Sequence, residues 1–65
     1  MKYCLGIVDA NRSLWFVAGY NNTLAEPTRC AAPEFAMEFN SYKDAHAWGS
    51  RYLLAYNWCV LVARS

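Results

Sequence analysis

One stretch of the chain carries helical periodicity, and that limits the architecture more than any other feature. Ala45, Trp48, Gly49, Tyr52 and Leu53 recur at i, i+3, i+4, i+7 and i+8, the spacing of a single buried stripe. Lys43, Asp44, Ala47 and Arg51 fall on the other side. Ser41 stands before the stripe as a natural N-cap, and Asp44 three residues on makes a variant of the capping box. Asp44 in the first turn and Arg51 near the last also suit the helix dipole. Ala55-Tyr56-Asn57 ends the pattern. One helix covers one face of a sheet, so the rest of the chain must be read against that single cover.

The remaining patterns are those of strands. Lys2–Val8 alternates Tyr3, Leu5 and Ile7 on one face with Cys4, Gly6 and Val8 on the other. Asp9-Ala10-Asn11-Arg12-Ser13 is turn chemistry. Leu14–Tyr20 is rich in strand formers, with Trp15 and Val17 against Leu14, Phe16, Ala18 and Tyr20. The pair predicts a hairpin with a five-residue loop. Asn21-Asn22-Thr23 closes it. Leu24–Pro33 holds both prolines and no period, and reads as a loop with at most a helical turn near Leu24–Glu26. Glu34–Phe39 alternates Phe35, Met37 and Phe39 inward with Glu34, Ala36 and Glu38 outward, which predicts a third strand before the helix. Trp58–Ala63 predicts the last strand. The expected fold class is α+β, in the order ββ-loop-βαβ. A three- to four-stranded antiparallel sheet carries one helix on one face, and residues 1–65 form a single small domain.

Such a fold leaves an excess of apolar surface. Sixty-five residues bury only about 60% of their unfolded surface, yet 57% of this chain is hydrophobic, with three Trp, five Tyr and three Phe. The face away from the helix would show some of Cys4, Val8, Trp15, Val17 and either Trp58 or Leu61. A monomer rarely leaves such a patch open. It is closed by the 24–33 loop, by a homodimer mate, or by another protein.

Charge and cysteine usage narrow the function classes. Six basic and five acidic residues give a net charge of +1, scattered without runs. This pattern steers the chain neither to nucleic acid nor to mimicry of its phosphates. The apolar run after Met1-Lys2-Tyr3-Cys4 breaks at Asp9, too early for a signal peptide core, and no window has the length of a membrane span. The chain is expected to be intact and cytoplasmic. Cys4, Cys30 and Cys59 are odd in number and form no C-x-x-C pair, so reduced thiols are expected rather than a disulfide framework. A metal site with His46 as fourth ligand lacks ligand spacing.

No catalytic constellation emerges. His46 is the one histidine, on the helix flank one turn from Tyr42 and Ser50, without a nucleophile or carboxylate beside it. Cys–His catalysis would need an orienting third group that nothing supplies. Glu34 and Glu38, roughly 13 Å apart along a strand, are too far apart to work as an acid–base pair. The glycines are isolated, so no phosphate-cradling loop exists. Tyr3, Trp15 and Trp58 on a sheet face could stack bases, but the basic residues form no run and no RNP-like motif accompanies them.

The run Ala36-Met37-Glu38-Phe39-Asn40-Ser41-Tyr42-Lys43-Asp44-Ala45 carries an A-x-x-F-x-S-x-x-x-A pattern after the hairpin strand Trp15–Tyr20. This resembles very small phage and mobile-element accessory proteins, a group that includes anti-CRISPR inhibitors. The resemblance covers about half the chain and is structural. It implies a short, non-enzymatic, aromatic-rich inhibitor, and it carries over no functional residue. The near-neutral charge departs from the acidic inhibitors that mimic DNA.

The expected function is therefore a non-enzymatic interaction protein that blocks a bacterial defence complex by surface occlusion. The alternative is a small nucleic-acid-binding or regulatory module using the aromatic sheet face. No cofactor and no metal are expected. The expected partner is a larger protein or ribonucleoprotein complex of the host, with a homodimer as a further possibility. No membrane role is expected. The expected binding surface is centred on Trp15, which strand alternation turns outward together with Val17, with Arg12 and Tyr20 at its rim.

Overall fold

Turn chemistry organises the first half of the chain. In the computed structural model, which describes residues 1–64, β1 (Lys2–Val8) and β2 (Leu14–Asn21) form the expected hairpin. Asp9 Oδ1 accepts hydrogen bonds from the backbone N–H groups of Asn11 and Ser13, both at 2.9 Å, while Arg12 takes the left-handed conformation at φ 65°. A second Asx turn follows. Asn21 Oδ1 accepts from the N–H groups of Thr23 and Leu24, and Ala25 is left-handed at φ 53°. This turn reverses the chain into β3 (Glu26–Cys30), antiparallel to β2.

β3 corrects the reading of residues 24–33 as a loop. Pro27 pairs with Tyr20 in the ladder and is buried. Proline is tolerated there because β3 is the edge of the sheet, where one side of the backbone needs no ladder donor. The expected strand Glu34–Phe39 is also corrected. Pro33 opens a single 3₁₀ turn over Pro33–Phe35, and the Phe35 ring is 74% exposed. Only Phe39 pairs, through a bridge in which Tyr3 and Phe39 exchange backbone hydrogen bonds of 3.0 and 2.8 Å. Met37 N–H donates to the Val17 carbonyl at 2.9 Å. β1 and β2 pair only from Gly6–Val8 to Leu14–Phe16, so residues 37–39 enter where the two strands part. The observed order is βββ, a 3₁₀ turn, then αβ, within the expected α+β class.

The helix α1 (Tyr42–Tyr52) starts where Ser41 predicts. Ser41 Oγ accepts the Asp44 N–H at 3.1 Å, and the cap residue itself is extended. The predicted stripe is the buried one: Ala45, Gly49 and Leu53 are buried, Trp48 and Tyr52 half-buried. β4 (Trp58–Arg64) returns antiparallel to β1, and the four-stranded sheet has the order β3-β2-β1-β4.

The core lies between α1 and one sheet face. Leu5, Ile7 and Val17 meet Ala45 and Leu53, with Tyr3, Phe39, Trp48, Tyr52, Trp58 and Val60 packed around them. Register then assigns the faces. Cross-strand partners share a side. Ile7 pairs with Trp15 and Val17 with Arg29, so Trp15, Val17 and Arg29 are on the helix side. Cys4, Gly6, Val8, Leu14, Phe16, Cys30, Cys59 and Leu61 share the open side through the Val8–Leu14, Gly6–Phe16, Phe16–Cys30, Gly6–Cys59 and Cys4–Leu61 pairs. The expected outward direction of Trp15 and Val17 is thus reversed. Tyr20 is also on the helix side, because the register shifts at a bulge between Val17 and Gly19 and restarts the alternation.

Candidate interaction surface

Asp9 does more than shape a turn. Its Oδ2 accepts the indole Nε1–H of Trp15 at 2.8 Å. The Trp15 hydrogen bond, then the backbone donors from Ser13 and Asn11, hold the Asp9 carboxyl below the usual carboxylate range, with Arg29 adding a smaller push. The guanidinium of Arg29 sits 5.3 Å from the centre of the Trp15 ring, within cation–π range. Trp15 is therefore fixed at its edge by Asp9 and on its face by Arg29, and it is half-buried. Arg12 is exposed at the tip of the same hairpin. Beside Arg29, a shallow groove of about 150 Å³ is lined by Glu26, Pro27 and Tyr56.

The expected patch is divided by the fold. Trp15 and Arg12 remain at the surface of the hairpin corner. Val17 is 1% exposed and belongs to the core. Tyr20 packs on the helix, with ring centres 4.9 Å from Tyr52 and 6.4 Å from Trp48. Tyr3, Trp15 and Trp58, the rings considered for base stacking, all lie on the helix side of the sheet and not on its open face. Arg29 and Asp9 were missed. Arg29 was hidden because β3 reads as a loop. Asp9 reads in sequence only as a turn former, although Trp15 six residues on is within reach of its second oxygen.

The open face is the other apolar surface. Leu14 is 46% exposed, Phe16 and Leu61 are half-buried and Cys59 is exposed. The choice between Trp58 and Leu61 resolves to Leu61. All three cysteines are free thiols on this side. Burial pushes the Cys4 thiol up, and Cys59, Cys30 and Glu38 add to it. Among the described residues, no group of three or more His, Cys, Asp or Glu side chains is placed to hold a metal ion.

His46 is on the helix flank as expected. Its Nδ1 is 3.4 Å from Ser50 Oγ, and its ring stacks on Tyr42 at 6.0 Å and meets Trp58 at 5.3 Å. Glu34 and Glu38 no longer share a strand, so their spacing carries no argument. No helix among the described residues is long and apolar enough to cross a membrane. Comparison of the chain with protein-family models, with curated proteins and with solved structures finds no match.

Proposed function

We propose that the protein is a non-enzymatic interaction protein that inhibits a bacterial defence complex of the CRISPR type by occupying its surface. The observation that carries this reading is the hairpin corner, where a half-buried Trp15 is locked by Asp9 and roofed by Arg29, with Arg12 exposed at the tip of the same hairpin. Tryptophan and arginine are the residue types that dominate interface hot spots. A ring already held in place loses little side-chain entropy on binding, so more of its contact energy appears as affinity. The +1 net charge makes steric occlusion a better fit than imitation of nucleic acid. The working place of such an inhibitor is the host cytoplasm.

The test is capture of bound proteins from a bacterial lysate, with Trp15→Ala and Arg12→Glu run beside the parent. One host complex should be retained by the parent in moderate salt and lost by both variants. Arg12 is exposed, so its reversal leaves the fold intact and separates binding from stability. Retention of the same complex by both variants would remove the corner from the function. Retention that vanishes in moderate salt would point to nucleic acid instead.

A further inference from the structure

The two edges of the sheet are built differently. β3 ends one side with five residues, a proline at position 27 and charges at Glu26 and Arg29. Those are the devices that blunt an edge. β4 ends the other side with seven residues, of which Trp58–Ala63 include no charge, no proline and no glycine. Its pairing with β1 fixes which backbone groups are spent. Val8 N–H donates to the Asn57 carbonyl, while Tyr3 directs its own N–H and C=O to Phe39, away from β4. By alternation, Cys59 and Leu61 bond inward to Gly6 and Cys4, and Trp58, Val60 and Val62 turn their N–H and C=O groups outward. No other backbone group of the described residues bonds to these three.

We infer that this edge pairs antiparallel with β4 of a second copy of the chain, about a two-fold axis at Val60. That register sets Val60 against Val60 and Trp58 against Val62 of the second copy. Every outward N–H and C=O of the three residues then finds a partner. Self-pairing needs a strand that opposes no like charges to itself, and Trp58–Ala63 meets that condition. The side chains fit the same register. Val62 is 58% exposed although it is on the helix side of the sheet. Pairing brings it beside Trp58 of the second copy, where His46 meets the Trp58 ring at 5.3 Å. There a groove of about 360 Å³ is lined by Tyr42, Lys43, His46 and Ala47. The blunted β3 edge stops further growth, so the assembly closes at two. The ladder is only about 20 Å long, which makes the dimer reversible and concentration-dependent. The inference is independent of the proposed inhibitory role.

Sedimentation equilibrium from 10 µM to 1 mM, with amide hydrogen exchange at both ends of the range, tests it. The parent should pass from monomer to dimer, and the amides of Trp58, Val60 and Val62 should gain protection as it does so. Val62→Lys places an exposed charge at the seam and should weaken the dimer at least tenfold while leaving the circular dichroism spectrum unchanged. A parent that stays monomeric at 1 mM would overturn the inference. So would a dimer whose β4 amides exchange freely, a dimer indifferent to Val62→Lys, or growth beyond two copies.

Discussion

Gly49→Ala should destabilise the protein, against the usual rule for a glycine within a helix. In an open helix the change gains about 1 kcal/mol, because alanine restricts the unfolded backbone and glycine does not. Here a Cβ at position 49 would fall 2.4, 2.6 and 2.7 Å from three carbons of the Trp58 ring. Ordinary contact is about 3.5–4.0 Å between carbons. The indole must therefore retreat by roughly 1 Å. It is a rigid, half-buried ring with His46 against it, so it cannot swing away freely. Overpacking of this kind costs about 1–3 kcal/mol. Set against the helical gain, a net loss of up to about 2 kcal/mol remains. For a domain this size a loss of about 2 kcal/mol lowers the melting temperature by roughly 8–16 °C. Thermal unfolding followed by circular dichroism reads it, and a double-mutant cycle locates it. In a Trp58→Leu background, Gly49→Ala should turn neutral or stabilising. A rise in melting temperature for Gly49→Ala alone, or strict additivity in the cycle, would refute the packing of Trp58 on Gly49.

Gly6 supplies the contrast. A Cβ there would meet Leu61 Cδ1 at 2.9 Å and Leu14 Cδ1 at 3.0 Å. Both are ends of flexible side chains on the open face, so Gly6→Ala should change stability by less than about 1 kcal/mol in the same melting assay. Ser41→Ala removes the oxygen that accepts the Asp44 N–H and should cost about 1 kcal/mol by denaturant unfolding. Asp9 has a carboxyl whose pKa is lowered on folding from 3.8. Its contribution is therefore present above that value and is lost as the pH falls through the folded-state pKa. Asp9→Asn should melt below the parent at neutral pH, and the gap should close on acidification.

The second half of the fold was legible because its signals are local. Ser41 and the Ala45–Leu53 stripe state where the helix starts and which side is buried, and the structure keeps both. β1, β2 and β4 declare themselves by apolar alternation. β3 does not, because Pro27 and the charges of Glu26 and Arg29 are loop residues by composition and become a strand only as an edge beside β2. Glu34–Phe39 misleads in the opposite sense. Its alternation is that of a strand, but Pro33 sets a 3₁₀ turn and the segment meets the sheet only where β1 and β2 part, so only Phe39 bridges.

The reversed direction of Trp15 followed from giving the inner face of β2 to Leu14 and Phe16. The five-residue loop already held the answer. Asp9–Ser13 sets Val8 against Leu14 and hence Ile7 against Trp15, on the side of the core. Tyr20 could not be assigned that way, since the bulge after Val17 is a tertiary feature that breaks the period. The hairpin corner was half visible. Trp15 and Arg12 were in view, whereas the Arg29 contact needs the unrecognised strand.

The most direct test of the proposed function is plating of a CRISPR-targeted phage on bacteria that express the chain, across a panel of effector types. The parent should restore plaque formation by at least a hundredfold against one type. Arg12→Glu, with an unchanged melting temperature, should restore little of it. Failure of the parent against every effector type, or equal restoration by Arg12→Glu, would contradict an inhibitor that works through the Trp15 corner.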